Sequence, residues 1–441
     1  MVFAFEQIIF YFLLFAIPFQ VRKILWYQNW YFNEWQSFSL YGTDLLLIIL
    51  FVFWFLRSRE LKLKIQKLDF LLILFLVVAG ISVKNGQSLA LGIFQWIKLL
   101  EFVVFYFYIK YYAINRFDVF YSFLAIFAGG VFQAILAIGQ FLKQSNLGFS
   151  LLGETALNPN LNGVAVFLTE NGERVMRSYG TTPHPNILAA YLFLAIFSFY
   201  AWYFYNKQSL SRNLEIVLLI CYGVTVFGLF TTFSRTILLL FALGFILRGL
   251  FIVFNKVVKR KFSHSEPLKK KLINIFLITI IAGSIFGALY HDEVKSRITI
   301  SSEDEAVSLR IFYNKESLKS GVNLFGLGLG NFVNWFMAND PYHPKWMYQP
   351  VHNIYLLIYA EIGLAGVISF GLFLILLFRK FVDEAKLKGM PEYSILLMAS
   401  SFLFIGLFDH YLITVQQGRF IFWIALALLN FGYTQKIQHH A

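Results

Sequence analysis

The stretch HNIYLLIYAEIGLAGVISFGLFLILLF, residues 352–378, decides how the chain is read. From Ile354 to Phe378 it is apolar apart from one acid, Glu361. That is long enough for a helix to cross a hydrocarbon core of roughly 30 Å. The segment before it, His291 to Val351, is too hydrophilic to do the same. The pair His352-Asn353 therefore sits where a polar segment meets the mouth of a membrane helix. Nine residues later comes Gly363, and after two more Gly366.

Runs of this kind recur along the chain. Of 441 residues, 59% are hydrophobic and 14% charged, too little charge to cover a soluble domain of this length. The chain reads as an all-α polytopic membrane protein, one membrane domain over 1–441 with N-terminal helices in 1–143. The runs predict about twelve transmembrane helices. They lie over 4–19, 43–56, 68–83, 89–109, 118–142, 186–205, 214–231, 236–254, 272–290, 354–378, 394–412 and 418–433. The single cysteine, Cys221, allows no internal disulfide.

A net charge of +13 would suit a nucleic-acid partner, but the basic residues gather in the short segments between alternate spans. Arg57, Arg59, Lys62, Lys64 and Lys67 form one group; Lys207 with Arg212, and Arg379, Lys380, Lys386 and Lys388, are others. This is the charge bias of cytoplasmic loops, so no nucleic acid is implied and both termini are placed in the cytoplasm. The longer segments then face outward. Gln20 to Thr43 carries Trp26, Trp30 and Trp35, as an interfacial belt would. Residues 291–351 are expected to form a large extracytoplasmic loop. Its many aromatic residues argue for an ordered cap, with an amphipathic helix over 308–320.

Four polar clusters fall on that outward side: RSYGTTPHPN (177–186), TTFSRT (231–236), Arg310 on the amphipathic helix, and His352-Asn353. Arginine presents a planar fork of donors that matches phosphate oxygens and stays charged. A neutral histidine takes a proton from a hydroxyl near pH 7. Together they suit transfer of a group whose leaving part is a phosphate or diphosphate. Plainer readings stand beside these: Arg177 as a loop arginine, His184 as part of a Pro-His-Pro turn, Asn186 and Asn353 as helix caps. GLGLG (326–330) reads as a turn, since no strand precedes it and no helix follows as a dinucleotide loop needs. His291, His343 and His352 have no zinc-like spacing. Asp409, His410 and Arg419 flank the last outer turn, either fastening helices or adding to the site.

In order, TTPHPNILAAYL, TTFSRTILL, SLRIFYNKESL with LFGLGLGNF, and HNIYLLIYAEIGLAG resemble the O-antigen ligase and polymerase superfamily, over a core of 175–430. The His-Asn-x9-Gly-x2-Gly pattern matches the ligases closely. Tyr313 stands where the third motif often has tryptophan. The resemblance implies a GT-C-like membrane glycosyltransferase of the bacterial inner membrane, with its active site on the periplasmic or extracellular face. It implies an undecaprenyl-diphosphate-linked glycan as donor, and a lipid A core sugar or a second lipid-linked glycan as acceptor. It implies inversion at the anomeric carbon without metal or other cofactor. Carried over by motif, His352, Arg310 and Arg235 are catalytic, and Arg177, His184, Asn186 and Asn353 bind substrate.

Ligation is the first expectation and polymerisation the alternative, with transfer to a protein hydroxyl behind both. A transporter of the lipid-linked glycan is the rival from another class. It would show two similar halves or broken helices with polar groups near the midplane, whereas here the halves differ and polar groups cluster on one side.

Overall fold

PNILAAYLFLAIFSFYAWYFY (Pro185–Tyr205) has no polar stripe to turn towards water, and it becomes the centre of the bundle. Every side chain from Ile187 to Phe204 is buried. The computed structural model describes residues 2–57, 65–169, 171–205, 211–258, 266–298, 305–385 and 390–431. Many of the basic loop residues, such as Arg59, Lys62, Lys64, Lys207, Lys386 and Lys388, lie outside them.

The helices are α1 (Val2–Ala16), α2 (Gly42–Arg57), α3 (Lys67–Ser82), α4 (Leu89–Tyr108), α5 (Ile114–Arg116), α6 (Val119–Lys143), α7 (Pro185–Tyr205), α8 (Arg212–Thr231) and α9 (Arg235–Val258). They continue with α10 (Glu266–Leu289), α11 (His291–Ile298), α12 (Glu305–Lys319), α13 (Phe332–Asn339), α14 (Ile354–Ala385), α15 (Met390–Ile405), α16 (Tyr411–Thr414) and α17 (Gln416–Leu428). Among the described residues sheet is confined to two antiparallel pairs: β1 (Arg22–Tyr27) with β2 (Ser37–Tyr41), and β3 (Val166–Leu168) with β4 (Arg174–Met176).

Helix α7 packs against α6, α8, α15, α17 and α9. The approach of α6 needs a glycine: a Cβ on Gly130 would stand 2.3 Å from that of Ala195. Small residues bring membrane helices together in this way.

All twelve apolar runs contain a helix, but seven helices among the described residues are long and apolar enough to cross a membrane, in α3, α4, α6, α7, α8, α10 and α14. The chain is a mostly helical membrane protein. The count of twelve is not carried by helix length. Helices α1, α2, α15 and α17 have 15, 16, 16 and 13 residues, and α9 is not among the seven. An apolar run does not by itself distinguish a crossing helix from one buried inside the protein; α17 is buried along its whole length.

The stretch 291–351 is also not one loop. It holds α11, α12, α13 and a helical turn at Lys345–Met347, and the expected amphipathic helix is α12. Tyr313, Phe332, Val333, Phe336, Tyr348 and Val351 form a small core of their own against Leu357 and Ala360 of α14. The loop between β1 and β2 is tied to this cap, Asn33 donating to the Tyr348 carbonyl (3.2 Å) and Gln36 to Asn334.

Helix α14 breaks at Gly363, where φ is +80°. The break lets the glycine-rich stretch lie against it, backbone to backbone. Leu327 and Gly328 donate to the carbonyls of Ala360 and Glu361, and Leu364 and Ala365 donate to those of Asn323 and Leu324. GLGLG is thus a run of left-handed turns, with Gly326, Gly328 and Gly330 all at positive φ. A Cβ on Gly363 would meet Gly326 N and the Leu324 carbonyl at 2.5 Å. Gly363→Ala is expected to cost about 1–3 kcal/mol from backbone strain alone, read as a lower unfolding temperature in detergent. An unchanged unfolding temperature would contradict this account of the break.

Candidate functional site

Three separate parts of the chain converge beside α7. The turn before α7 is held by its own side chains: His184 Nδ1 accepts from the Asn186 amide (3.1 Å), and the His184 carbonyl accepts the first amides of the helix. Just after β4, Arg177 reaches across this turn. Its Nε donates to the Thr232 carbonyl (2.7 Å) and its Nη2 to Asn186 Oδ1 (2.6 Å). Asn186 in turn donates to Asp409 Oδ2 (3.0 Å), in the turn between α15 and α16. From the cap, Arg310 on α12 donates to the Phe408 carbonyl in that same turn (2.8 Å).

His352 closes the arrangement. Its ring lies parallel to that of Tyr313, centroids 5.1 Å apart, and edge-on to His410 at 4.8 Å. Tyr313 is fixed by donating to the Met347 carbonyl (2.6 Å). These groups surround a cavity of about 600 Å³. Arg177, His184, Asn186, Arg310, His352, Asp409 and His410 all line it, with Arg22, Glu34, Trp35 and Gln349. Arg22 and Glu34 neutralise each other as an ion pair.

Two of the expected residues lie elsewhere. Asn353 caps α14, its Oδ1 accepting from the Tyr355 and Leu356 amides (2.9 and 3.1 Å). Arg235 opens α9 and donates to the Arg297 carbonyl (2.8 Å); it does not line the cavity. Arg419 lines a smaller cavity of about 90 Å³, with Lys98 and Glu361, that shares Glu34 and Trp35 with the larger one. Sequence reasoning passed over Arg22, Glu34 and Gln349, which lie in stretches with no motif. It left Asp409 and His410 undecided; their place beside the last turn was the available signal.

Burial and charge set the protonation of this cluster. Burial pushes His184 down to about 3, helped by Arg177, and pushes His410 down to about 3, helped by His352. Burial likewise lowers His352; Asp409 works against that shift and Arg310 adds to it. Burial alone would raise Asp409, but His352, His410 and Arg310 outweigh it and hold the carboxyl below its usual range. Arg177 is brought down to about 9, first by burial and then by Arg297. At neutral pH the cavity offers guanidinium groups, neutral imidazoles and, apart from Glu34 in its pair with Arg22, the Asp409 carboxylate. That set holds an anion and accepts a proton.

The histidine shifts have a consequence for stability. His184 and His410 bind protons less readily folded than unfolded, so the unfolded chain takes up more protons between about pH 6.5 and 3. Their contribution is present above pH 6.5 and is lost as pH falls. Unfolding temperatures recorded from pH 7.5 to 5 are expected to drop, and to drop less in His410→Gln. A flat profile would contradict the buried, neutral placement.

A comparison with curated proteins finds no match. A family model described as O-antigen ligase matches residues 216–371, from α8 into α14, and so takes in Arg235, Arg310 and His352. Over that segment the chain is similar to the O-antigen ligase superfamily, as its motifs are, and the match supports a function of the ligase or polymerase type.

Proposed function

We propose that the chain transfers a glycan from an undecaprenyl-diphosphate carrier to an acceptor hydroxyl, on a sugar of the lipid A core, at the outer face of the bacterial inner membrane. The observation that carries this reading is the single cavity joining Arg177, Arg310, Asp409 and His352. The loop charges support its outward placement, with both termini in the cytoplasm.

The diphosphate lies against Arg310 and Arg177, whose charge is fixed before the reaction and meets the charge that develops on the leaving oxygen. His352 takes the proton of the acceptor hydroxyl. The hydroxyl oxygen bonds to the anomeric carbon from the face opposite the diphosphate. The bond from that carbon to the diphosphate oxygen breaks, and its electron pair leaves with the carrier. Asp409 stabilises the imidazolium that forms. The configuration at carbon inverts, and His184 and Asn186 hold the polar wall beside the donor. Helix α12 and the β1–β2 loop cover the cavity and limit loss of donor to water.

The test is transfer in vitro without added metal, with purified lipid A core or a second lipid-linked glycan as acceptor. Product on lipid A core is expected. Product only as lengthened lipid-linked glycan would replace ligation by polymerisation, and no covalent product would refute transfer.

A further inference from the structure

His352, Asp409 and His410 each turn one ligand atom towards the others, two imidazole nitrogens and a carboxylate oxygen, all within 4.8 Å. Nδ1 of His352 is buried and makes no close hydrogen bond, and the Pro350 backbone also acts on the ring from outside the cluster. His184 lies within electrostatic reach of all three.

We propose that His352, Asp409 and His410 form a binding site for a divalent transition-metal ion of the zinc, nickel or copper class, and that filling it blocks the site by occupying His352. Two imidazoles and one carboxylate are a donor set that such ions take, with a position left open. Around a tetrahedral ion with bonds of about 2.0–2.2 Å the donors stand roughly 3.3–3.5 Å apart, so rotation of the side chains by about an ångström closes the set. Arg310 faces His352 and Asp409, and Arg177 faces His184. Their charge opposes any cation. It therefore selects ions bound through imidazole nitrogen over magnesium and calcium, which depend on carboxylates and other oxygen ligands. The blocking half of the proposal rests on the transfer reading of this cavity; the binding half does not.

The test uses the whole chain in lipid nanodiscs, stripped with chelator and titrated with zinc chloride or magnesium chloride by calorimetry. X-ray absorption of the zinc-loaded sample identifies the ligands. One zinc per chain on two imidazoles and an oxygen is expected, with no magnesium bound. Asp409→Asn and His410→Gln are each expected to weaken zinc tenfold or more. His343→Gln is expected to leave it unchanged, since His343 pairs with Asp340 and does not line the cavity. No stoichiometric zinc on the wild type, or zinc that both site variants retain undiminished, overturns the site. In the transfer assay zinc is expected to stop turnover and chelator to restore it. Zinc that binds without slowing transfer overturns the blocking half. If transfer is absent from the start, the reading of function fails while the zinc titration still decides the site.

Discussion

His352→Ala is expected to slow glycan transfer about 100- to 10,000-fold, the range for losing a positioned general base. The loss should fall on kcat, with KM for the donor little changed, because the arginines and not His352 hold the diphosphate. The ring is fixed between Tyr313 and His410 and is largely buried. The pH profile gives a second readout. Burial lowers the His352 pKa, so the acid limb of kcat should lie below pH 6.5. Asp409 raises that pKa and Arg310 lowers it. Asp409→Asn should therefore move the limb to lower pH, and Arg310→Ala should move it to higher pH. A rate independent of pH between 5 and 7 would remove His352 from the proton transfer.

Arg310→Ala is expected to cost about 100- to 1,000-fold in kcat, the effect of removing one preorganised donor from a developing negative charge. Arg310→Lys should recover only part of this, because an ammonium group keeps the charge but loses the planar fork. Arg310 is held by the Phe408 carbonyl, beside Asp409, so its guanidinium spans the cavity between the cap and the last turn. Arg235→Ala should do less, since Arg235 bonds to Arg297 and does not line the cavity. An Arg235→Ala variant more damaged than Arg310→Ala would reverse this order and place the diphosphate beside Arg297. Initial rates across a range of donor concentrations separate the two cases.

The helical segments were legible because an apolar run of membrane length has few other uses, and each such run does contain a helix. What the runs did not carry was which helices cross. Gln416–Leu428 lies in one of these apolar runs, yet the helix is short and buried on every side. The break at Gly363 was visible only as a motif. Its cause is a partner strand of backbone from the glycine-rich stretch, more than thirty residues earlier in the chain, and no local pattern announces such a pairing. Of the site, His352, Arg310, Arg177, His184 and Asn186 were found by residue chemistry and motif, and the structure gathers them in one cavity. Arg235 was chosen because a cation in a tight turn between apolar helices needs a reason; the bond to Arg297 supplies a local one. Asn353 follows the ordinary rule for helix caps. Arg22, Glu34 and Gln349 reach the cavity through the β1–β2 loop and the cap, and only the tertiary fold brings those segments there.

The central claim is that this cavity makes and breaks a covalent bond, rather than passing an intact lipid across the membrane. The most direct measurement puts the chain in sealed liposomes with lipid-linked glycan and an acceptor. It follows free undecaprenyl diphosphate and glycosylated acceptor by mass spectrometry, and donor orientation by a membrane-impermeant label. The account predicts that carrier and product appear in equal amounts, that His352→Ala abolishes both, and that donor orientation does not change. Donor that changes leaflet intact, with no carrier released, would contradict it and leave a transporter.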